Sequence, residues 1–138
     1  MTTTIPTSLT TTERYLAFWN TTDAAGKQRL AAQTFTPDVG YHAPIGVLTG
    51  PAALIEFHRE FVGRVPGAVL VSRQVPDRHH DRVRVKWEIV LPGEESFATG
   101  TDVLVLDEDG RIASITSFLD RPPAGFGDEH HEHHEVHP

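Results

Sequence analysis

Apolar residues recur at three- and four-residue steps in the first half of the chain and at every second position in the second half. Tyr15, Leu16, Phe18 and Trp19 follow a Thr10–Glu13 pair with capping-box spacing, which predicts a helix opening near Thr10. "NTTD" ends it, and Asp23 can cap a second, Ala-rich helix over about 24–34, with Leu30 and Phe35 as its anchors. "TPDVGYHAPIG" reads as a strand stopped by a proline. "GPAALIEFHREFVGRVPG" reads as a third helix, with Pro51 in its first turn and Leu54, Phe57, His58 and Phe61 on one face.

Beyond Gly67 the period changes to two. Val69, Val71 and Val75 suggest one strand. In "RVRVKWEIVL", Val83, Val85, Trp87 and Ile89 share a face, with Arg82, Arg84, Lys86 and Glu88 on the other. "PGEE" and "DEDG" are turns flanking "SFATGTDVLVL", and "RIASITSFLD" is the last strand. The strands over 82–91, 96–106 and 111–119 should therefore pair antiparallel in order. Helices first and a strand meander afterwards imply an α+β fold, with helices packed on one face of a curved sheet.

Composition narrows the function classes. The 138 residues are enough for one core, and 38% hydrophobic with 22% charged residues is a globular composition. The net charge of −7 and the lack of a basic run argue against nucleic acid and anionic membranes as partners. No apolar run is long enough to span a bilayer, and "MTTTIPTSLTTT" lacks the basic and apolar parts of a secretory signal, so a cytoplasmic location is expected. The absence of cysteine removes disulfides, thiol catalysis and thiolate metal sites. The ends read as tails around one domain over 12–122: a Thr-rich segment over 1–11, and a His/Glu-rich segment over 123–138. Five histidines in "GDEHHEHHEVHP" would bind divalent transition metals loosely, without the fixed second shell of a structural site, so no metal or other cofactor is expected.

"ERYLAFWN", "FTPDVGYHAPIG", "LTGPAALIEFHREF" and "FATGTDVLVLDEDGRIASITSFLD" together resemble the SnoaL-like and ketosteroid-isomerase-like branch of the nuclear transport factor 2-like superfamily. The resemblance spans roughly residues 12–120. It implies a cone: an antiparallel, cystatin-like α+β barrel sheet wrapped around about three N-terminal helices, with an apolar ligand pocket inside and pairing into a homodimer through the convex face. It is not specific for an activity, because this fold hosts isomerases, cyclases, hydrolases and non-catalytic binders.

By the same resemblance, Tyr15 stands at the position of the helix-one tyrosine and Asp102 at that of the strand acid, the two groups with which a ketosteroid isomerase holds an oxyanion. The base position before Pro44 is Ala43, which carries no proton, so that mechanism is not complete here. The epoxide-hydrolase branch's Asp-Arg-Asp set has no equivalent, and Ser117 stands where one of its acids would be.

The residues themselves leave alternatives open. His42 and His58 are candidate bases, since imidazole titrates near neutrality. Strand alternation, however, sends His42 away from any face that Tyr41 and Ala43 share, and a lone histidine on an apolar helix stripe is more often a core residue. Tyr15 is as readily a core aromatic. Asp102 shares its strand face with Gly100, Leu104 and Leu106, an unusual place for a surface charge and a fitting one for a pocket acid of raised pKa. Phe18, Trp19, Tyr41, Phe61, Trp87, Leu104 and Ser117 are the expected ligand contacts. The expected function is a pocket for a small hydrophobic molecule, serving an isomerase or cyclase that stabilises an enolate, or a non-catalytic binding or assembly module.

Overall fold

The computed structural model describes residues 10–124. Residues 1–9 of the Thr-rich tail and nearly all of the His/Glu-rich one therefore lie outside the described residues. Helix α1 (Thr11–Asn20) begins at the predicted capping box. The Thr10 hydroxyl accepts from the Glu13 amide at 3.0 Å, and the Glu13 carboxylate accepts from the Thr10 amide at 2.8 Å. Asp23 caps α2 (Ala24–Thr34) by accepting from the Gly26 amide at 2.7 Å. Helix α3 (Pro51–Arg64) starts behind Gly50, whose φ of 90° suits glycine, with Pro51 supplying a first-turn position that needs no N–H.

The strands are β1 (Phe35–Ala43), β2 (Gly46–Thr49), β3 (Val69–Ser72), β4 (Asp77–His79), β5 (Arg82–Leu91), β6 (Glu95–Leu106) and β7 (Ile112–Arg121). They form one sheet in the order β2-β1-β7-β6-β5-β3, with β4 beside β5. The β5–β6–β7 meander is antiparallel as the alternation implied, and the register places Asp102 between Val85 and Ser117.

Three features differ from the expectation. The sheet is mixed and open, because β1 lies parallel to β7. The chain leaves β1 through β2 and α3 and returns to β1's edge only with its last strand, which no local pattern reveals. Val75 belongs to no strand and is 85% exposed, and the short β4 follows it. On α2 the buried stripe is Lys27, Ala31 and Thr34, with Leu30 only partly covered.

Bulges at Ile89/Val90, Thr99/Gly100 and Val105/Leu106 bend the meander. The last of them shifts the parity of β7, so that Ile112, Ile115 and Ser117 all point inward. The concave face buries Val83, Val85, Leu104, Leu106, Ile112 and Ile115 against Tyr15, Phe18, Phe35 and Leu54. The aromatic rings of α1 meet Phe35 edge-on, with centroids 4.9 Å from Phe18 and 6.3 Å from Tyr15. No helix among the described residues is long and apolar enough to cross a membrane.

Candidate functional site

The core fills one end of the cone. At the other end, α1, α3, β1 and the concave sheet enclose a cavity of about 520 Å³. Its walls are largely apolar, with Phe57, Phe61, Leu70, Ile89 and Leu119 among them, and few polar groups reach it. A small, mostly hydrophobic molecule is the kind of occupant such a space takes.

Seven of the predicted site residues line this cavity: Asp102, His58, Trp19, Tyr41, Phe61, Trp87 and Ser117. Four do not. His42 is exposed on the outward face of β1, as the alternation of that strand requires, while Tyr41 and Ala43 face in. Phe18 and Leu104, expected as ligand contacts, are fully buried in the core beneath the cavity. Tyr15 is fully buried as well, and it meets the site only through Asp102.

Asp102 is 3% exposed. The Tyr15 hydroxyl donates to its Oδ2 at 2.5 Å, and the Trp87 indole N–H donates to its Oδ1 at 2.8 Å. Ser117, directly across on β7, adds a further hydrogen bond. Burial raises the carboxyl pKa above its ordinary value, and the donors from Tyr15, Ser117 and Trp87 pull against that rise. Both phenols are pushed up, Tyr15 strongly, by burial first and by the Asp102 charge second. The expectation was two donors side by side for a ligand oxygen; in the structure the Tyr15 hydroxyl is bonded to Asp102. Tyr15 spends its proton on Asp102, and the carboxyl group alone faces the cavity.

Trp87 reaches Asp102 because position 100 is glycine. A Cβ on Gly100 would stand 2.2 Å from Trp87 Cζ2 and 2.5 Å from the Phe118 carbonyl oxygen. The indole lies across the strand where a side chain would otherwise be.

A second polar group comes from α2 and was not anticipated. Lys27 is 4% exposed, and its amine donates to the Phe18 carbonyl oxygen and to His58 Nδ1. It also lies 3.8 Å from the centre of the Phe18 ring. Burial lowers the amine to about 7. His58 falls to about 4 through burial and then the Lys27 charge, while the Trp19 backbone carbonyl opposes the shift. The signal available in the sequence was the spacing of Lys27, Ala31 and Thr34 along one side of a helix. Counting only apolar anchors hid it. Among the described residues no cluster of three or more His, Cys, Asp or Glu could hold a metal ion.

Residues 12–115 match the model of the SnoaL-like domain. The protein belongs to the SnoaL-like family. A SnoaL-like protein from Agrobacterium tumefaciens, provisionally described as an isomerase, is 29% identical. It superposes with a TM-score of 0.76 over 80% of this chain and 94% of its own. An NTF2-like protein of unknown function from Exiguobacterium sp. shares 21% identity, with a TM-score of 0.65 over 80% of this SnoaL-like chain and 98% of the other. A protein from Sinorhizobium meliloti, provisionally described as a polyketide cyclase, shares 17% identity at a TM-score of 0.58, over 78% and 92% of the two chains. No curated protein matches significantly.

Proposed function

We propose that this SnoaL-like pocket binds a small, largely apolar carbonyl compound and moves a proton on it, an isomerase- or cyclase-type reaction with Asp102 as the proton-exchanging group. One observation carries the reading: a buried carboxyl group faces an apolar cavity with each oxygen held by a donor. Tyr15 and Trp87 orient the carboxylate and keep it available in its charged form, while burial raises its affinity for a proton. A base so poised, with its proton affinity raised by burial, suits removal of a proton from carbon beside a carbonyl. Tyr15 acts through Asp102 and is a positioning residue.

Ala43 favours a second reading. It lines the cavity before Pro44, without a titratable group, where the resemblance places a base. A non-catalytic binding pocket would look the same there.

Solvent isotope exchange separates the two readings. In deuterium oxide, a β,γ-unsaturated cyclohexenone should exchange its acidic protons, and shift its double bond, faster with wild-type protein than without it. Asp102→Asn should slow this by about a hundredfold or more. A wild type that binds the ketone without accelerating exchange would leave the binding reading. A wild type and an Asp102→Asn variant that exchange equally would remove Asp102 from the role.

A further inference from the structure

Asp102 supplies one half of a proton-transfer site. The other half is a donor for the oxygen on which charge develops; Tyr15 is committed to Asp102, and the Tyr41 hydroxyl and His58 are among the donors left in the cavity wall. Apart from Asp102 itself, one other buried titratable side chain in the cavity wall, His58, touches a charged group, and that group is Lys27. Lys27 approaches from behind, from α2, and does not itself line the cavity.

We propose that Lys27 fixes His58 as the pocket's neutral hydrogen-bond donor, by donating a hydrogen bond to Nδ1 so that the ring carries its own hydrogen on Nε2. An imidazole nitrogen that accepts cannot also hold a hydrogen, so the tautomer follows from the contact. A charged amine can only donate, so the arrangement holds while Lys27 carries its proton; a neutral amine can also accept from Nδ1. With Nδ1 taken by a side chain outside the cavity, Nε2 is the nitrogen left for a ligand. The Trp19 carbonyl from α1 also faces the ring as an acceptor, so a ligand oxygen competes with it for the ring N–H. Burial and the neighbouring amine also disfavour the imidazolium, so the ring is uncharged near neutrality.

This inference rests on the enolisation reading and completes it. Asp102 takes a proton from the carbon beside the carbonyl, the C–H electron pair becomes the new C=C bond, and the carbonyl π pair moves onto oxygen. That oxygen accepts a hydrogen bond from His58 Nε2–H, which keeps its proton. Asp102 then returns its proton to another carbon. A neutral imidazole is the better partner here, since it stabilises the developing charge without surrendering a proton to it. Lys27 is a positioning residue.

The test uses binding and the ring itself, not turnover. Para-nitrophenol mimics the enol: it can share its proton with Asp102 and leave its oxygen to accept from His58. Histidine side-chain nitrogen NMR of the wild type should show His58 as the neutral Nε2–H tautomer between roughly pH 5 and pH 7, and that nitrogen's signal should move on addition of para-nitrophenol. His58→Leu should bind the phenol about tenfold more weakly, and His58→Gln, which retains an N–H donor, should recover most of the loss. Lys27→Met should turn His58 into a mixture of tautomers that titrates at higher pH. A proton on Nδ1, an unmoved Nε2 signal, undetectable phenol binding, or wild-type affinity in His58→Leu would overturn the proposal. The outcome is separable from that of isotope exchange. Exchange with an indifferent His58 removes the donor and keeps the isomerase. A responsive His58 without exchange keeps the ligand anchor and removes the turnover.

Discussion

Asp102 and Lys27 are both buried ionisable groups, and the protein treats them differently. Asp102 is surrounded by three donors from three elements, whereas Lys27 is held by one backbone carbonyl, one imidazole and one aromatic face. Burying the lysine is therefore only partly compensated, and its pKa falls from 10.5 to about 7. Between those values the unfolded chain binds a proton that the folded chain does not, so stability should rise as pH rises through that window. The rise should be on the order of 1–2 kcal/mol after discounting for residual hydration. Denaturant unfolding at a series of pH values should show it in the wild type and lose it in Lys27→Met. His58 adds a loss in the same sense as pH falls from 6.5 towards 4. A flat profile in the wild type would mean that the amine is better solvated than its contacts imply. Both residues stood in plain view in the sequence, but only Asp102 was singled out. Its neighbours on β6 alternate strictly, so one acid among Gly100, Leu104 and Leu106 is conspicuous. On the Ala-rich α2 a lysine looks like solvated surface.

At the scale of elements, local patterning was highly legible. The capping box at Thr10, the Asp23 cap, Pro51 and the alternation of β5 all act over a few residues, and each is found where it was read. Gly100 shows where the pattern stops helping. A glycine inside a strand ordinarily weakens it, and here it is the gap that admits the Trp87 ring. Gly100→Ala should force the indole off the strand, cost about 1–3 kcal/mol of stability, and break the Trp87–Asp102 hydrogen bond. Denaturation midpoints and a change in tryptophan fluorescence would check this. An alanine variant with unchanged stability and fluorescence would show that the ring has room elsewhere. Arg73 closes the same place from the other side, donating to the Trp87 and Gly100 carbonyls at 2.8 and 2.9 Å and to Asp120 at 2.7 Å. Strand β5 and its neighbour are thus clamped next to the site.

For the whole molecule, the pairing of β1 with β7 makes the pocket. It brings Tyr41 beside Ser117 and Asp102, which lie far apart in the chain. On β7, Ser117 points inward and Phe118 outward, and Phe118 is 56% exposed. We propose that this convex face pairs two copies, as the resemblance implies. Sedimentation at micromolar concentration should give a dimer, and Phe118→Arg should shift it towards monomer. A wild type that sediments as a monomer at high micromolar concentration would remove the pairing.

The sequence by itself determined the α+β class, the three helices with the caps of the first two, the antiparallel meander and the inward sides of β5 and β6. These depend on periodicity and on contacts within a few residues, which a linear pattern carries. It also pointed to Asp102 and to the inert Ala43. Only the tertiary structure decided that Tyr15 is bonded to Asp102 behind the cavity wall, that Phe18 and Leu104 lie beneath the cavity and not in its wall, and that Lys27 reaches His58. The reason is physical. A buried polar group must find its partners in space, and those partners sit on α1, α2, α3 and the far strands of the sheet, at separations along the chain that no local pattern records.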